Sequence, residues 1–520
     1  MAKSSAPIND SPTLAEKVES IARQRGFFYP SGEIYGGIAG FYDYGHIGTL
    51  IKRKFENLWR KFFLSLDENF FEIETTNVMH ENVFVASGHT QHFVDPVAKC
   101  KRCGTVHRAD HIMEEFLHES FEGLTPEELE DLIKKHNIKC PKCKAGELGD
   151  IKPLNMMFPV RIGADGETRA FLRAETAQGP YVVFKRQFEA CRKQLPLGLA
   201  AIGRVYRNEI SPRNVLIRMR EFTQAELQIF FDPSQLGSHP NFKEVENYQL
   251  QLFPVKDRSS GIILKVAAKD AVKKFGLPQF YVYHMAKIQQ FYLEQLRIDA
   301  AAFRFRELSE EERAFYNRIH WDIELNLPSL GWKEVAGIHY RTDYDLGRHE
   351  KLSKQEMAIT YNEKKFIPHV LELSFGVDRN IWSLLELNFA EEKVGKEERT
   401  VFKLPRSLAS FDAAVFPLVT KDKLPEKAKE IVNLLQQTGY AVFYDEADSI
   451  GRRYRRVDEI GVPFSITVDY DSLNNEDVTI RDRDSMAQIR VPIKELCGAL
   501  WKLINYKVEF EKAGKLVKAK

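Results

Sequence analysis

Two runs of alternating apolar and polar residues, LGLAAIGRVYRNE (197–209) and RMREFTQAELQIFF (218–231), flank the polar turn ISPRNVL. Such runs read as a long antiparallel hairpin. Strands alternate their side chains between faces, so Arg218, Arg220 and Phe222 share one face of the returning strand, and Gln224 and Glu226 continue it. Tyr206, Arg207, Asn208 and Glu209 end the outgoing strand. A buried face would be apolar, and a plain solvent face would rarely offer phenylalanine. Guanidinium forks match phosphate oxygens. An aromatic ring gives a flat base a platform, with arginine able to cover its other side. The pattern points to a nucleotide laid across a sheet; the plainer alternative is a salt-bridged surface hairpin. No GxxxxGKS or GxxxxGKT run occurs, which excludes a P-loop.

The cysteines carry a second signal. Cys100 and Cys103 form one CxxC pair and Cys140 and Cys143 another, 36 residues apart. Each pair can present two thiolates from one tight turn, and two turns complete a tetrahedral cage suited to structural zinc. Gly104 and Pro141 are turn residues typical of such knuckles. Free cysteines, or a redox pair, are the alternatives. Four sulfurs leave no open position for water, so the ion would hold structure only. His107 and His111 stand four apart without the glutamate of a catalytic zinc helix. Cys191 and Cys497 stand alone and read as packing residues.

Charge and length bound the rest. The formal charge of +1 argues against a purely electrostatic nucleic-acid binder, although a neutral body can carry local basic faces. No run of about 18 apolar residues would span a membrane. The first twenty residues lack an apolar signal core and carry Asp10, Glu16 and Glu19, so the chain reads as cytoplasmic. Leu50, Phe55, Leu58, Trp59, Phe62 and Leu66 recur at helical spacing. Thr125 and Glu128 form a capping box before another helix. The divisions expected are 1–97, an inserted cysteine module at 98–155, the hairpin region at 156–232, a second insertion at 233–325, and a strand–turn–helix region at 326–400. A charged linker at 390–407 leads to a βαβ domain at 408–505 and a basic tail at 506–520.

At this point a resemblance carries further. The YRNE and RMREF segments of the hairpin resemble motif 2 of class II aminoacyl-tRNA synthetases, and Gly376-Val377-Asp378-Arg379 resembles motif 3. LRAETAQG (172–179), ASGH (86–89), RADH (108–111), REFTQAE (220–226) and HVLELSFGVDR (369–379) resemble the dimeric type of glycyl-tRNA synthetase. The block from Tyr444 to Asp471 resembles that family's anticodon-binding domain. The likeness runs from about residue 25 to 505. It departs at Thr76, His80, Ala174 and Leu373, where proline is usual, and none of these removes a charge the chemistry needs.

The resemblance implies an α+β catalytic domain on an antiparallel sheet, with an inserted zinc-ribbon-like module and a C-terminal α/β anticodon-binding domain. It implies a homodimer that joins glycine to ATP, with Mg²⁺, and passes glycyl to tRNA(Gly). Arg207 would grip the α-phosphate, and Arg218 and Arg379 the outer phosphates. Phe222 would stack on adenine, with Arg379 on its other face, and Glu209 would meet the exocyclic amine. Asn208, Ile217, Met219, Arg220, Glu221, Glu334, Val335, Gly376, Val377 and Asp378 would complete the ATP pocket. For glycine, Glu175, Glu226 and Glu372 would receive the ammonium, Ser374 would narrow the pocket and Arg108 would meet the carboxylate. Thr223, Gln224, Ala225, Leu373 and Phe375, with Phe222 and Gly376, would line the same pocket. One methyl attracts by only about 1–3 kcal/mol, so rejecting alanine needs a filled, rigid site. Two other readings fit less well: a non-catalytic nucleic-acid-binding subunit of this fold, and a class II synthetase for another amino acid.

Overall fold

Alternation in the hairpin survives into three dimensions. The computed structural model describes residues 12–517 other than 118–123, 315 and 396. Nine strands build its central sheet: β1 (Phe70–Glu72), β2 (Leu197–Tyr206), β3 (Glu221–Phe231), β4 (Gln249–Phe253), β5 (Leu264–Ala267), β6 (Phe303–Glu307), β7 (Ile319–Leu327), β8 (Gly331–Thr342) and β9 (His369–Gly376). Their order in space is β5-β4-β6-β7-β8-β9-β3-β2-β1. Pairing is antiparallel except at β1–β2 and β4–β6. The hairpin strands β2 and β3 pair from Leu197 opposite Phe230 to Tyr206 opposite Glu221.

One face of the sheet is covered by helices. Helix α1 (His46–Phe63) buries Ile47, Ile51, Phe55, Trp59 and Phe63, each four residues after the last, which makes one continuous stripe. Trp59 and Phe63 meet Phe375 of β9 with ring centroids 5.9 and 4.9 Å apart. On the other face, α2 (Gln178–Ala190) caps only one end, where Tyr181, Phe184 and Phe188 pack with Leu197, Leu199 and Phe230. Helix α3 (Gln279–Gln290) joins the first core, and Tyr281 donates to Ile338 O at 2.7 Å. Helix α4 (Val377–Leu387) leaves β9 directly and buries Ile381, Trp382, Leu384 and Leu385. Full burial of each such side chain is worth about 1.5–3 kcal/mol.

Two stretches differ from their sequence reading. Residues 233–325 do not stand apart, because β4, β5, β6 and β7 extend the central sheet and share its core. The charged stretch 390–407 is not a bare linker: Phe389–Val394 and Glu397–Phe402 form a hairpin, with Phe389 opposite Phe402.

The C-terminal region has its own mixed sheet, as its βαβ rhythm suggests. Strands β10 (Ala413–Pro417), β11 (Val442–Tyr444), β12 (Phe464–Val468), β13 (Asp477–Asp482), β14 (Gln488–Pro492) and β15 (Lys515–Leu516) lie in the order β11-β10-β12-β13-β14-β15. Its inner core includes Val415, Ile431, Ile466 and Leu500. Other residues of this region, among them Phe416, Val457, Ile460 and Val462, belong to the same apolar cluster as the central sheet. Among the described residues, no helix is long and apolar enough to cross a membrane.

Candidate active site

The uncapped face of β3 runs Phe222, Gln224, Glu226, Gln228, Phe230. It passes from an open cleft, through a carboxylate pocket, to the apolar cap of α2. The cleft is lined by Arg207, Glu209, Leu216, Ile217, Arg218, Met219, Phe222, Gly376, Asp378 and Arg379. Three guanidinium groups therefore converge here. The Arg207 guanidinium lies 5.3 Å from the Phe222 ring centroid, and its Nε donates to Ala174 O at 3.1 Å. Arg218 donates from Nε to Glu209 Oε2 at 2.9 Å, and its Nη1 lies 3.0 Å from His111 Nε2. Arg379 donates to Ile217 O at 2.9 Å and to Glu334 Oε2 at 2.9 Å. Each fork is oriented by one to three fixed acceptors and keeps further N–H groups for a ligand. The base of α4 is tied to the sheet: Asp378 accepts from Tyr44 Oη and from Thr223 N, both at 2.5 Å.

Deeper along the same face, three carboxylates meet one buried arginine. Register places Glu226 opposite Ser374 and Gln228 opposite Glu372. Glu226 accepts from Thr176 Oγ1 at 2.6 Å and Ser374 Oγ at 2.7 Å. Glu175 accepts from Gln178 Nε2 at 2.8 Å and lies 3.5 Å from Arg341. Glu372 accepts from Gln228 Nε2 at 3.0 Å and Arg341 Nη1 at 2.9 Å. Arg341 also pairs with Asp345 at 2.8 Å. Arg341 thus pairs with three acidic groups while Glu226 beside them has only hydroxyl donors, a cluster short of positive charge.

The titrations follow from that imbalance. Burial raises Glu175, but Arg341 and His89 outweigh it and hold the carboxyl well below the usual range. Burial and the neighbouring Glu175 push Glu226 up. Burial pushes Glu372 up to about 8, against Arg341 and with help from Glu226 and Glu175. A cation brought into this pocket would meet acceptors and relieve like-charge repulsion.

The cysteine module adjoins the cleft. Strand Val94–Cys100 pairs with Val106–Arg108 and Leu148–Asn155. The four thiols of Cys100, Cys103, Cys140 and Cys143 lie within 4.8 Å of one another. Cys100 and Cys143 are 3.8 Å apart and Cys103 and Cys140 3.7 Å. A tetrahedral zinc with sulfur at about 2.3 Å sets neighbouring sulfurs about 3.8 Å apart. Backbone N–H groups of Cys103 and Gly146 point at Cys100 and Cys143 sulfur, as thiolates require. A Cβ at Gly146 would come 2.4 Å from Cys100 Sγ, so only glycine leaves the cage open.

Several expected residues lie elsewhere. Arg108 does not line the cleft: Asp110 and Asp95 take its guanidinium, at 3.0 Å from Nε to Asp110 and 3.2 Å from Nη1 to Asp95. Arg220 is not in the cleft: the strand begins only at Glu221, and Arg220 donates to Ala39 O and Glu209 O. Glu209 does line the cleft but is held by Arg218, and Asn208 is fixed through its N–H to Met156 O. Glu221 lies 3.6 Å from Arg204, at the outer side of the hairpin. Alternation turns Thr223, Ala225, Leu373 and Phe375 to the helix-covered face, and Val335 and Val377 are core residues. In the run GRRYRR, Arg453 and Arg456 are spent on Asp445, Asp448 and nearby carbonyls, and Arg455 lies 3.6 Å from Glu397.

Sequence reasoning missed Arg341, Asp345 and Gln228, and it noted the runs holding His111 and Thr176 without giving either a place in the site. Arg341 lies at the end of β8 and Asp345 at the start of the helix after it, so no single period in the sequence announces their ion pair.

An antiparallel sheet carrying a cationic, aromatic cleft beside an acidic pocket is the arrangement of a class II synthetase core. Residues 160–388 match the tRNA synthetase class II core domain (G, H, P, S and T), and residues 412–503 match the anticodon binding domain. Glycine–tRNA ligase of Thermococcus gammatolerans is 40% identical, covering 96% of this chain and 100% of that protein. The enzyme of the same name from Pyrococcus horikoshii is 40% identical over 94% of this chain and 98% of its own, and that of Aeropyrum pernix 36% over 97% and 99%. The chain belongs to the glycine–tRNA ligase family.

Proposed function

We propose that the cleft and the pocket divide the work of glycine activation by ATP. The triphosphate folds across the cleft, with the base on Phe222 and Arg379 over it. Arg207 meets the α-phosphate, and Arg218 and Arg379 the outer phosphates. Glycine enters with its ammonium toward Glu175, Glu226 and Glu372 and its carboxylate toward Arg207. That carboxylate attacks the α-phosphorus, the bond to the bridging oxygen breaks, and pyrophosphate leaves. No general base is required, because the nucleophile is already ionised. Charge gathers on phosphate oxygens, where prearranged cations act most strongly. Mg²⁺, when bound, supplies further neutralisation of the outer phosphates, and the half-exposed Glu334 at the rim is the carboxylate that would hold it. The tRNA 3′ hydroxyl then attacks the glycyl carbonyl, its proton passes to a phosphate oxygen of the departing AMP, and AMP leaves. Arg108 serves as a strut of the phosphate wall.

The four-sulfur cage would hold structural Zn²⁺. The homodimer rests on the family resemblance, and a cytoplasmic site of action follows the tRNA(Gly) it charges. The single observation that carries the reading is the convergence of Arg207, Arg218 and Arg379 with Phe222 beside an acidic pocket. Glycine-dependent exchange of pyrophosphate into ATP tests it. Arg207→Ala should lower exchange by about 10²-fold or more, with the fold intact by circular dichroism. Near-normal exchange in that variant would remove Arg207 from the α-phosphate.

A further inference from the structure

His339 stands on β8 directly opposite Glu372 of β9, on the face that carries the acidic pocket. Its side chain is mostly covered, with 13% exposed. The imidazole leans back over Gly337: a Cβ added there would come 2.4 Å from His339 Nε2. Gly337 in turn pairs with Ser374, the residue whose hydroxyl donates to Glu226. The ring therefore lies between Glu372 and Ser374, along the side of the pocket. An amino acid held by its ammonium among Glu175, Glu226 and Glu372, with its carboxylate toward Arg207, would direct any β-carbon at the surface built from Ser374, Gly337 and His339.

The ring is fixed from behind. Asn317 Nδ2 lies 3.1 Å from His339 Nδ1 and 3.4 Å from His320 Nδ1, and the two imidazole centroids are 4.0 Å apart. An amide donor at Nδ1 puts the remaining proton on Nε2, which faces Glu372 Oε1 at 3.6 Å. Burial, then His320 and Arg341, keep the imidazole neutral. A wall that excludes a methyl must not yield, and this ring has a second imidazole tilted against it and an amide holding it.

We propose that His339 is a specificity-determining residue, whose ring, laid over Gly337, is the side wall that denies room to amino acids bearing a β-carbon. The inference rests on the placement of glycine given above. It assigns selectivity to a side chain of β8, outside the segments that resemble the family's motifs.

The test is pyrophosphate exchange with glycine and with alanine on the intact chain. In His339→Ala the ratio of kcat/KM for alanine to that for glycine should rise by about tenfold or more. His339→Phe keeps the bulk and loses the N–H toward Glu372. It should leave the ratio near that of the parent while raising KM for glycine. A merely structural role would lower both substrates together and leave the ratio unmoved in His339→Ala, which would overturn the inference. Should His339→Ala fail to fold, His339→Ser carries the same comparison, with the same ratio deciding it. Glu226→Gln separates the two claims. If it leaves KM for glycine unchanged, the placement of glycine is wrong. If it raises that KM while the alanine ratio stays fixed in His339→Ala, only the wall is wrong.

Discussion

Glu372 is 4% exposed and shares its surroundings with Glu175, Glu226 and Arg341. Burial outweighs Arg341, so the carboxyl keeps its proton to about pH 8. A glycine ammonium favours the ionised form, so binding must expel that proton. The sign follows by linkage: below about 8 each fall in pH adds competing protons and weakens glycine binding. KM for glycine should therefore fall as pH is raised from about 6 to about 8, by up to about tenfold per unit. Glu372→Gln should flatten the slope. A level profile in the parent protein would show that Glu372 does not change charge on binding. The individual glutamates were legible because they sit in motif-like runs. Their shared arginine was not, because Arg341 reaches them only through the pairing of β8 with β9, and cross-strand register leaves no mark at one position.

At the scale of elements, the cysteine module connects to the cleft through a short path. Strand Val106–Arg108 follows the first knuckle, and the helix Ala109–Leu117 then places His111 against Arg218 at 3.0 Å. Burial, with Arg108 and Arg218 nearby, lowers His111 to about 3, so the imidazole is neutral and its Nε2 can accept from the guanidinium. Cys140→Ser should release about one zinc per chain, since three sulfurs complete no closed cage. It should also expose residues 98–155 to protease and raise KM for ATP, as the His111 support loosens. An unchanged metal content would remove zinc from the account. Thr125 with Glu128 and the two CxxC pairs were plain in the sequence because their signals are local. Strands β4 to β7 were not: β7 buries residues on both faces and loses the period of two that marked the hairpin, while β6 keeps it over only five residues. The hairpin Phe389–Phe402 was hidden for the opposite reason, since its outward glutamates and lysines resemble a solvated linker.

At the scale of the whole molecule, the seam between the catalytic body and the C-terminal region is a core. Phe402, Leu404 and Leu408 run from the last hairpin into the same apolar cluster as Phe27 and Trp382, and Phe416, Val457, Ile460 and Val462 join it from the far side. Beside them Arg399 is fully buried and donates to Asp458 at 2.8 Å, which Arg481 also meets at 3.0 Å. Ending the chain after Pro405 would strip half of that packing and remove Asp458, leaving Arg399 with Glu392 alone. Losing a partner of a buried pair costs about 3–5 kcal/mol, and each uncovered apolar side chain adds to it. The shortened protein should therefore unfold at a lower temperature by about 5 °C or more. Its folded fraction should still exchange pyrophosphate in the presence of glycine, because every residue of the cleft and pocket lies before the cut. Charging of tRNA should fall much further, since residues 412–503 match an anticodon binding domain and are gone. Equal loss of exchange and charging per folded molecule would mean that the seam positions the cleft itself, and an unchanged melting temperature would mean that the shared core contributes nothing to the body it touches.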